Sequence, residues 1–499
     1  MDQRRIDWPS FGTCVAIILL VCIPLALFPE AAGTFLQDTY DYIAQEFGIA
    51  YLLASVGAIG FLVWLAASRY GAVKLGAAED LPEFRTLSWV AMLFCAGVGA
   101  GLLYWCTTEW TYYYQSPPFG AEPFSPEAAE WASTYGLFHW GVTAWAFYCL
   151  PAIAIAYPYY VRRLPQLRFS VSCNYFLQGR EHGIAARCID FLFMIALIGG
   201  AASSLGFSTP MIAACLGRLF DVPATFALEV GVMILCMGLF AASVWLGLRK
   251  GIKRLSDINL YVAFGLLTFI LVVGPTAFLL KTSLNGVGLL AQNFLRMSFW
   301  TDPFTSSGFV EDWTVFYWAW WIAYAPFVGL FVTRISRGRT IRQVVSGMLI
   351  FGSLGSWLFY MILGNYSLYL ELEGIAGITD VINADGGGAA IVATLDRLPL
   401  ATPVIAAFAV ISIIFAATTY DSASYVLASG ATLRLEAGDD PARWHRVFWA
   451  FALGLLPITL IFIGGLKVMQ VTLLIVSTPI LVVGVVMSAA LVKSLRAAV

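Results

Sequence analysis

Five aromatic residues, Trp313, Tyr317, Trp320, Trp321 and Tyr324, recur at i, i+4, i+7, i+8 and i+11 of one apolar stretch, WTVFYWAWWIAYAPFVGLFVTRISRGRT, running from Trp313 to Thr340. At helical period this spacing builds one continuous aromatic face. Eleven helical steps carry that face roughly 16 Å, deeper into a bilayer than an interfacial aromatic belt reaches. Electron-rich ring faces attract a cation that has no hydrogen bonds to give, so the chemistry suggested is cation–π binding of a quaternary ammonium group. Ring packing between neighbouring helices uses the same pattern. Pro326 and Gly329 follow in the same stretch and are expected to interrupt the helix.

Other segments carry residue types that fit this chemistry. Trp140, Trp145 and Tyr148 fall within an arc of roughly 140° at 100° per helical step, so all three rings can address one neighbour; His139 beside them reads as a hydrogen-bonded interior histidine. The run Ala96-Gly97-Val98-Gly99-Ala100-Gly101 places three glycines in five residues. Each glycine costs about 1 kcal/mol of helix propensity relative to alanine, which marks a place to unwind as well as a place to pack closely. Thr107, Thr108, Glu109 and Tyr112 come next, and an ionisable side chain within a membrane helix is a functional candidate by default. In FAATTYDSASY, Phe415, Thr418, Thr419 and Ser422 recur at i, i+3, i+4 and i+7. They form a hydroxyl-lined face that either bonds neighbouring helices or offers oxygens to a small hard cation. Ser203, Ser204, Ser208 and Thr209 repeat that choice elsewhere.

The elements that must position these residues are membrane spans. Of the 499 residues 60% are hydrophobic and 12% charged, which excludes a water-soluble globular chain. Apolar runs long enough to cross a bilayer lie near 11–29, 50–68, 88–113, 134–160, 187–216, 226–248, 256–280, 313–333, 343–369, 400–430, 446–464 and 469–492, which makes twelve. The first is read as a retained anchor rather than a cleaved signal. Residues 284–297 are too short to cross and read as an amphipathic surface helix. Of the 28 lysines and arginines, 23 fall on alternate connections, among them Arg4, Arg5, Arg163, Arg168, Arg249, Lys250, Lys253, Arg254, Arg334, Arg337, Arg434 and Arg446. Arg218, Lys281, Arg296, Arg397 and Lys467 fall on the other side, so the positive-inside rule puts both termini in the cytoplasm. Acidic residues such as Asp38, Asp41, Glu46, Glu122, Glu127 and Glu130 are assigned to outer loops. Nine scattered cysteines without a CxxC pair, and His139, His182 and His445 far apart, support neither a disulfide framework nor a metal cluster. No clustered nucleophile or acid/base pair points to an enzyme, and nucleic acid is not an expected partner.

The stretch 313–340, with its basic tail Arg334-Ile335-Ser336-Arg337-Gly338-Arg339-Thr340, resembles the signature segment of the betaine/carnitine/choline transporter family. SPPFGAEP at 116–123 and YGLFHWG at 135–141 are similar to its carnitine branch. The resemblance implies an all-α integral membrane protein of twelve transmembrane helices with a LeuT-type inverted repeat of five plus five. Residues 1–87 would hold the first two spans, 88–283 the first repeat, 284–312 the amphipathic linker and 313–499 the second repeat. A glycine-weakened third span and a proline-weakened eighth span would then begin the two repeats, both broken at the site. The family's aromatic prism maps onto Trp140, Trp145, Tyr148 and Trp321, with Trp320, Tyr324, Tyr112 and Glu109 at the pocket. In sodium-coupled members Thr418 and Thr419 correspond to hydroxyl ligands, and Phe415, Cys95 and Val98 to carbonyl ligands. In the sodium-independent exchangers an arginine matches Asn259, a leucine matches Thr419 and a methionine matches Val328, so this chain is expected to use sodium and no other cofactor. The resemblance further implies a homotrimer contacting through the 284–297 helix, in a bacterial inner membrane. Only short polar ends flank the first and last spans, which favours nutrient uptake over osmotic regulation. Exchange of carnitine against γ-butyrobetaine, proton-coupled choline uptake, a channel and a multi-span membrane enzyme stand as alternatives. The substrate among carnitine, glycine betaine, choline and sulfonium analogues stays open.

Overall fold

The computed structural model describes residues 6–164, 168–178, 180, 183–246, 249–432, 440–463 and 466–498. Arg4, Arg5, His182 and Arg434, and the side chains of Arg249, Lys250, Lys253, Arg254 and Lys467, lie outside the described residues. Among the described residues the fold is all-helical, with only isolated bridges and no strand. Among the described residues eleven helices are long and apolar enough to cross a membrane, and counting one bent pair as a single span gives the expected twelve: Trp8–Leu27, Pro29–Ala67, the bent pair Thr86–Ala96 with Ala100–Gln115, Pro126–Val161, Ile184–Phe220, Phe226–Leu246, Ser256–Val273, Val310–Ile335, Ile341–Leu372, Ala401–Gly430, Arg443–Ile463 and Met469–Ala497.

The third span breaks where its glycines predict. Its two halves meet at 59° across Gly97, Val98 and Gly99. The eighth span does not break: Phe316–Ile335 is one helix with Pro326 inside it. Close packing explains this. A Cβ at Gly329 would stand 2.9 Å from the Pro151 side chain and 3.0 Å from the Ala152 nitrogen, so the eighth span lies directly on the fourth, and Thr333 Oγ1 donates to the Ala152 carbonyl at 2.9 Å. Proline removes one backbone donor, and neighbouring helices can hold the helix straight through that loss. The interruption falls in the fourth span instead, where Pro126–His139 ends and Val142–Ala156 begins across Trp140 and Gly141.

Several boundaries differ from the sequence reading, the fourth span among them, which starts at Pro126 rather than near 134. The second span starts at Pro29, so Asp38, Asp41 and Glu46 sit on a helix rather than a loop. Its buried stripe of Leu36, Tyr40, Ala44 and Gly48 has helical spacing, and Tyr40 donates to the Glu311 carbonyl at 2.7 Å. The seventh span stops at Val273 because Gly274 and Pro275 end it, and the surface helix, Thr276–Phe299, starts eight residues before 284. Between the ninth and tenth spans a further helix, Ile378–Leu395, turns at Gly386, whose φ is 83°.

The basic tail after the eighth span is a tie rather than a free charge cluster. Leu75 N–H donates to the Arg339 carbonyl (2.8 Å), Gly338 N–H to the Leu75 carbonyl (2.7 Å) and Ile341 N–H to the Val73 carbonyl (2.9 Å). Trp89, near the start of the third span, donates through Nε1 to Ser336 Oγ at 3.1 Å, and the Arg339 guanidinium sits 4.1 Å from the centre of its ring. Gly338 has φ 80°, and a Cβ there would lie 2.4 Å from the Leu81 carbonyl oxygen. Gly338→Ala is therefore expected to destabilise the protein by roughly 1–3 kcal/mol, read as a lower thermal-inactivation midpoint in detergent. Gly12→Ala, where a Cβ meets nothing within 4 Å, is expected to leave that midpoint unchanged.

Candidate functional site

A cavity of about 2070 Å³ enters the bundle from the arginine-rich side. Its mouth is lined by Asp80, Arg163, Arg168, Arg334 and Arg337, and its inner end by Cys95 to Gly99, Gly101, Trp140, Trp145, Tyr148, Trp320, Trp321, Tyr324, Thr418 and Thr419. That is larger than a pocket for one small ligand, which occupies about 300–1,000 Å³. At the mouth, the Ala77 N–H, and beyond it Arg337 at 3.3 Å, hold the Asp80 carboxyl below its usual range. Beyond the inner end the rings close up. Trp320 touches Phe207 at 5.6 Å between centroids, Phe207 stacks on Tyr104 at 5.7 Å, and Tyr104 lies against Gly387 of the helix that turns at Gly386.

The break in the fourth span builds the aromatic wall. A helix end leaves carbonyls without partners. Those of Leu137 and His139 accept the indole N–H groups of Trp357 (2.7 Å) and Trp321 (2.8 Å). Trp321 therefore caps the broken helix with its edge while its ring lines the cavity. The rings form an edge-to-face chain: Trp140 to Trp321 at 4.6 Å, Trp321 to Tyr148 at 6.0 Å, and Tyr148 to Trp145 at 5.6 Å. Trp320 stacks on Trp321 at 5.2 Å.

Glycines on other spans seat these rings. A Cβ at Gly352 of the ninth span would come within 2.2 Å of the Trp145 ring, and one at Gly200 of the fifth within 2.7 Å of Tyr324. Sequence reasoning missed Gly352, since FGSLGSW carries no periodic signal and its role appears only when the ninth span meets the fourth. Gly352→Val is expected to push Trp145 off the wall, costing about 1–3 kcal/mol of stability and most of the transport capacity, measured as initial uptake per folded protein.

The aromatic face of the eighth span divides. Trp320, Trp321 and Tyr324 line the cavity, while Trp313 packs on Tyr112 at 4.8 Å and Tyr317 is fully buried. Glu109 and Tyr112 do not reach the cavity. The Glu109 carboxylate stands behind the wall, accepting from Trp140 Nε1 at 3.0 Å and from Tyr113 and Tyr317 at 2.6 Å each, and also from Tyr360. Tyr360 had no motif to announce it.

Of the expected oxygen ligands, Cys95, Val98, Thr418 and Thr419 line the cavity together. Phe415 is buried beside them and its carbonyl accepts both threonine hydroxyls at 2.9 Å. At the break, the Cys95 carbonyl accepts from Val98 N–H at 3.1 Å, and Gly99 begins the following half-helix without a side-chain cap. Asn259 donates to the Ile411 carbonyl of the tenth span at 3.1 Å.

The family model described as BCCT, betaine/carnitine/choline family transporter, matches residues 9–499. The chain belongs to that family. This betaine/carnitine/choline family member is a transporter and not an enzyme. It is 38% identical over 427 residues to the uncharacterized transporter YeaV of Escherichia coli K12, covering 85% of this chain and 88% of that one. It is 34% identical over 485 residues to a carnitine transporter of Acinetobacter baumannii ATCC 19606, covering 96% and 87%. A solved structure of a Na+-coupled sialic acid symporter in a substrate-bound outward-open state aligns at 12% identity and a TM-score of 0.45, over 84% of this chain and 81% of that one. Family membership places the cavity in a secondary transporter, where a large one-sided opening is an access path for cargo.

Proposed function

We propose that this transporter imports a quaternary-ammonium compound of the carnitine, glycine betaine or choline type by alternating access, coupled to sodium. The observation that carries the reading is the chain of four rings, Trp140, Trp321, Tyr148 and Trp145, on one cavity wall. Several desolvated ring faces are what a trimethylammonium group needs. The uncapped N-terminus of the half-helix Ala100–Gln115 opens on the same cavity, and its positive end suits a substrate carboxylate. A relative that carries the name carnitine transporter supports a substrate with both groups.

Sodium would be held by the Thr418 and Thr419 hydroxyls with the Cys95, Val98 and Phe415 carbonyls, an all-oxygen set suited to a hard cation. Binding there would draw the broken third span to the tenth and favour one access state, which is how an ion can drive transport. The arginine-lined mouth faces the cytoplasm on this reading, so the state is inward-open, with both termini cytoplasmic in a bacterial inner membrane. Two repeats, 88–283 and 313–499, and a homotrimer contacting through Thr276–Phe299 complete the proposal. The test is uptake of radiolabelled carnitine and glycine betaine into proteoliposomes, with and without an inward sodium gradient. Saturable accumulation that needs the gradient is the expected result. Equal exchange without sodium would make the protein an exchanger, and flux that never saturates would make it a channel.

A further inference from the structure

We propose that Glu109 sets the charge preference of the aromatic site without touching the substrate: its carboxylate, bonded to the indole N–H of Trp140, makes the site favour a cation over a neutral molecule of the same shape. The inference rests on the aromatic cavity being the substrate site.

Glu109 is fully buried in the third span, behind the wall that Trp140 presents to the cavity. Oε2 accepts from Trp140 Nε1 (3.0 Å), Tyr317 (2.6 Å) and Tyr360, and Oε1 accepts from Tyr113 (2.6 Å), with His139 Nδ1 at 3.4 Å. Four groups able to donate, the Trp140 indole N–H and the hydroxyls of Tyr113, Tyr317 and Tyr360, converge on its two oxygens, a set that would support the ionised form. His139 Nδ1 also lies 2.8 Å from the Tyr113 hydroxyl, and Nε2 lies 3.2 Å from Thr314 Oγ1. A neutral imidazole with its proton on Nδ1, accepting the Thr314 proton at Nε2, satisfies that geometry. Tyrosine and tryptophan donors are neutral as well. Among the described residues no lysine or arginine is paired with Glu109, so in its ionised form the carboxylate would leave one negative charge next to the ring wall.

That charge acts on a bound cation in two ways. An indole that gives its N–H to a carboxylate gains electron density, which deepens the negative potential over the ring face the cation meets. The carboxylate itself acts through protein rather than water, where its field is weakly screened. Both effects scale with ligand charge and vanish for a neutral isostere. A purely structural role, tying the third, fourth, eighth and ninth spans together, would weaken both ligands alike.

The experiment uses the full-length protein in detergent and displacement of radiolabelled glycine betaine by choline and by its neutral isostere 3,3-dimethyl-1-butanol. In Glu109→Gln the choline affinity is expected to fall about tenfold while the isostere changes by less than about twofold. Equal losses for the two ligands, or an unchanged ratio, would overturn the proposal. Tyr360→Phe, which removes a neutral donor and keeps the carboxylate, is expected to preserve the ratio, and its collapse there would also overturn it. If Glu109→Gln does not fold, Trp140→Phe and Trp145→Phe replace it. The choline preference should fall further at Trp140, whose N–H is bonded to the carboxylate, and equal falls would sink the link. A wild type that binds none of radiolabelled carnitine, glycine betaine and choline would reject the aromatic-site reading and this proposal with it. Wild-type displacement by choline together with an unchanged ratio in Glu109→Gln would reject the Glu109 role alone.

Discussion

Trp321→Leu is expected to raise the half-saturation concentration for uptake of a quaternary-ammonium substrate by about thirtyfold or more. One ring face in a desolvated site contributes about 2 kcal/mol to holding a cation, and each 1.4 kcal/mol is about tenfold in affinity. The substitution also removes the indole N–H that the His139 carbonyl accepts at 2.8 Å. An orphaned buried carbonyl costs about 1–3 kcal/mol, and this one ends the helix immediately before Trp140, so a second ring of the wall loses its support. Trp318→Leu is the control. Trp318 is as deeply buried, but its ring packs on Phe138 and Phe147 away from the cavity. Its loss should cost folded protein, at about 3 kcal/mol or more for a buried large-to-small change, with little effect on half-saturation. Equal shifts in the two variants would mean that the wall acts only through packing.

On the sodium-coupled reading, Thr419→Leu is expected to raise the sodium concentration for half-activation of uptake at least about tenfold. The variant keeps the helix, since leucine is a good helix former, but removes one hydroxyl and puts an apolar branch where Thr419 lines the cavity. Losing a single charge-directed oxygen contact weakens binding by about 1.5–3 kcal/mol, roughly 10–150-fold in the sodium concentration for half-activation. Thr419 Oγ1 presently donates to the Phe415 carbonyl, and so does Thr418. Both hydroxyl oxygens thus keep their lone pairs for a cation. Accumulation at several external sodium concentrations measures the effect. An unchanged sodium response in Thr419→Leu would remove the tenth-span hydroxyls from the coupling site.

Much of the cavity lining was legible because its signals are local. Three glycines in five residues lower the cost of unwinding wherever the third span is placed, and the span does break there. Trp145 and Tyr148 share one face of the half-helix Val142–Ala156, and Trp140, which sits at the break before it, lines the same cavity with Trp321. The proline signal misled because a proline's effect depends on what packs against it. Pro326 sits in an unbroken helix pressed onto the fourth span, and the break went to Trp140 and Gly141, where two indole N–H groups from other spans take the freed carbonyls. Glu109 misled for a similar reason. A lone carboxylate in an apolar run says that it must be satisfied, and not by what.

The sequence alone identifies a many-span membrane protein whose third span is broken, because span length and glycine propensity each act within a single segment. The packing of the spans settles which half of the eighth-span aromatic face meets the cavity, which glycines seat the rings, and that Glu109 stands behind the wall holding Trp140. Those depend on contacts between residues up to two hundred positions apart and more, as from Glu109 to Tyr317 and Tyr360. Periodicity within one helix carries no information about which neighbour a face will meet.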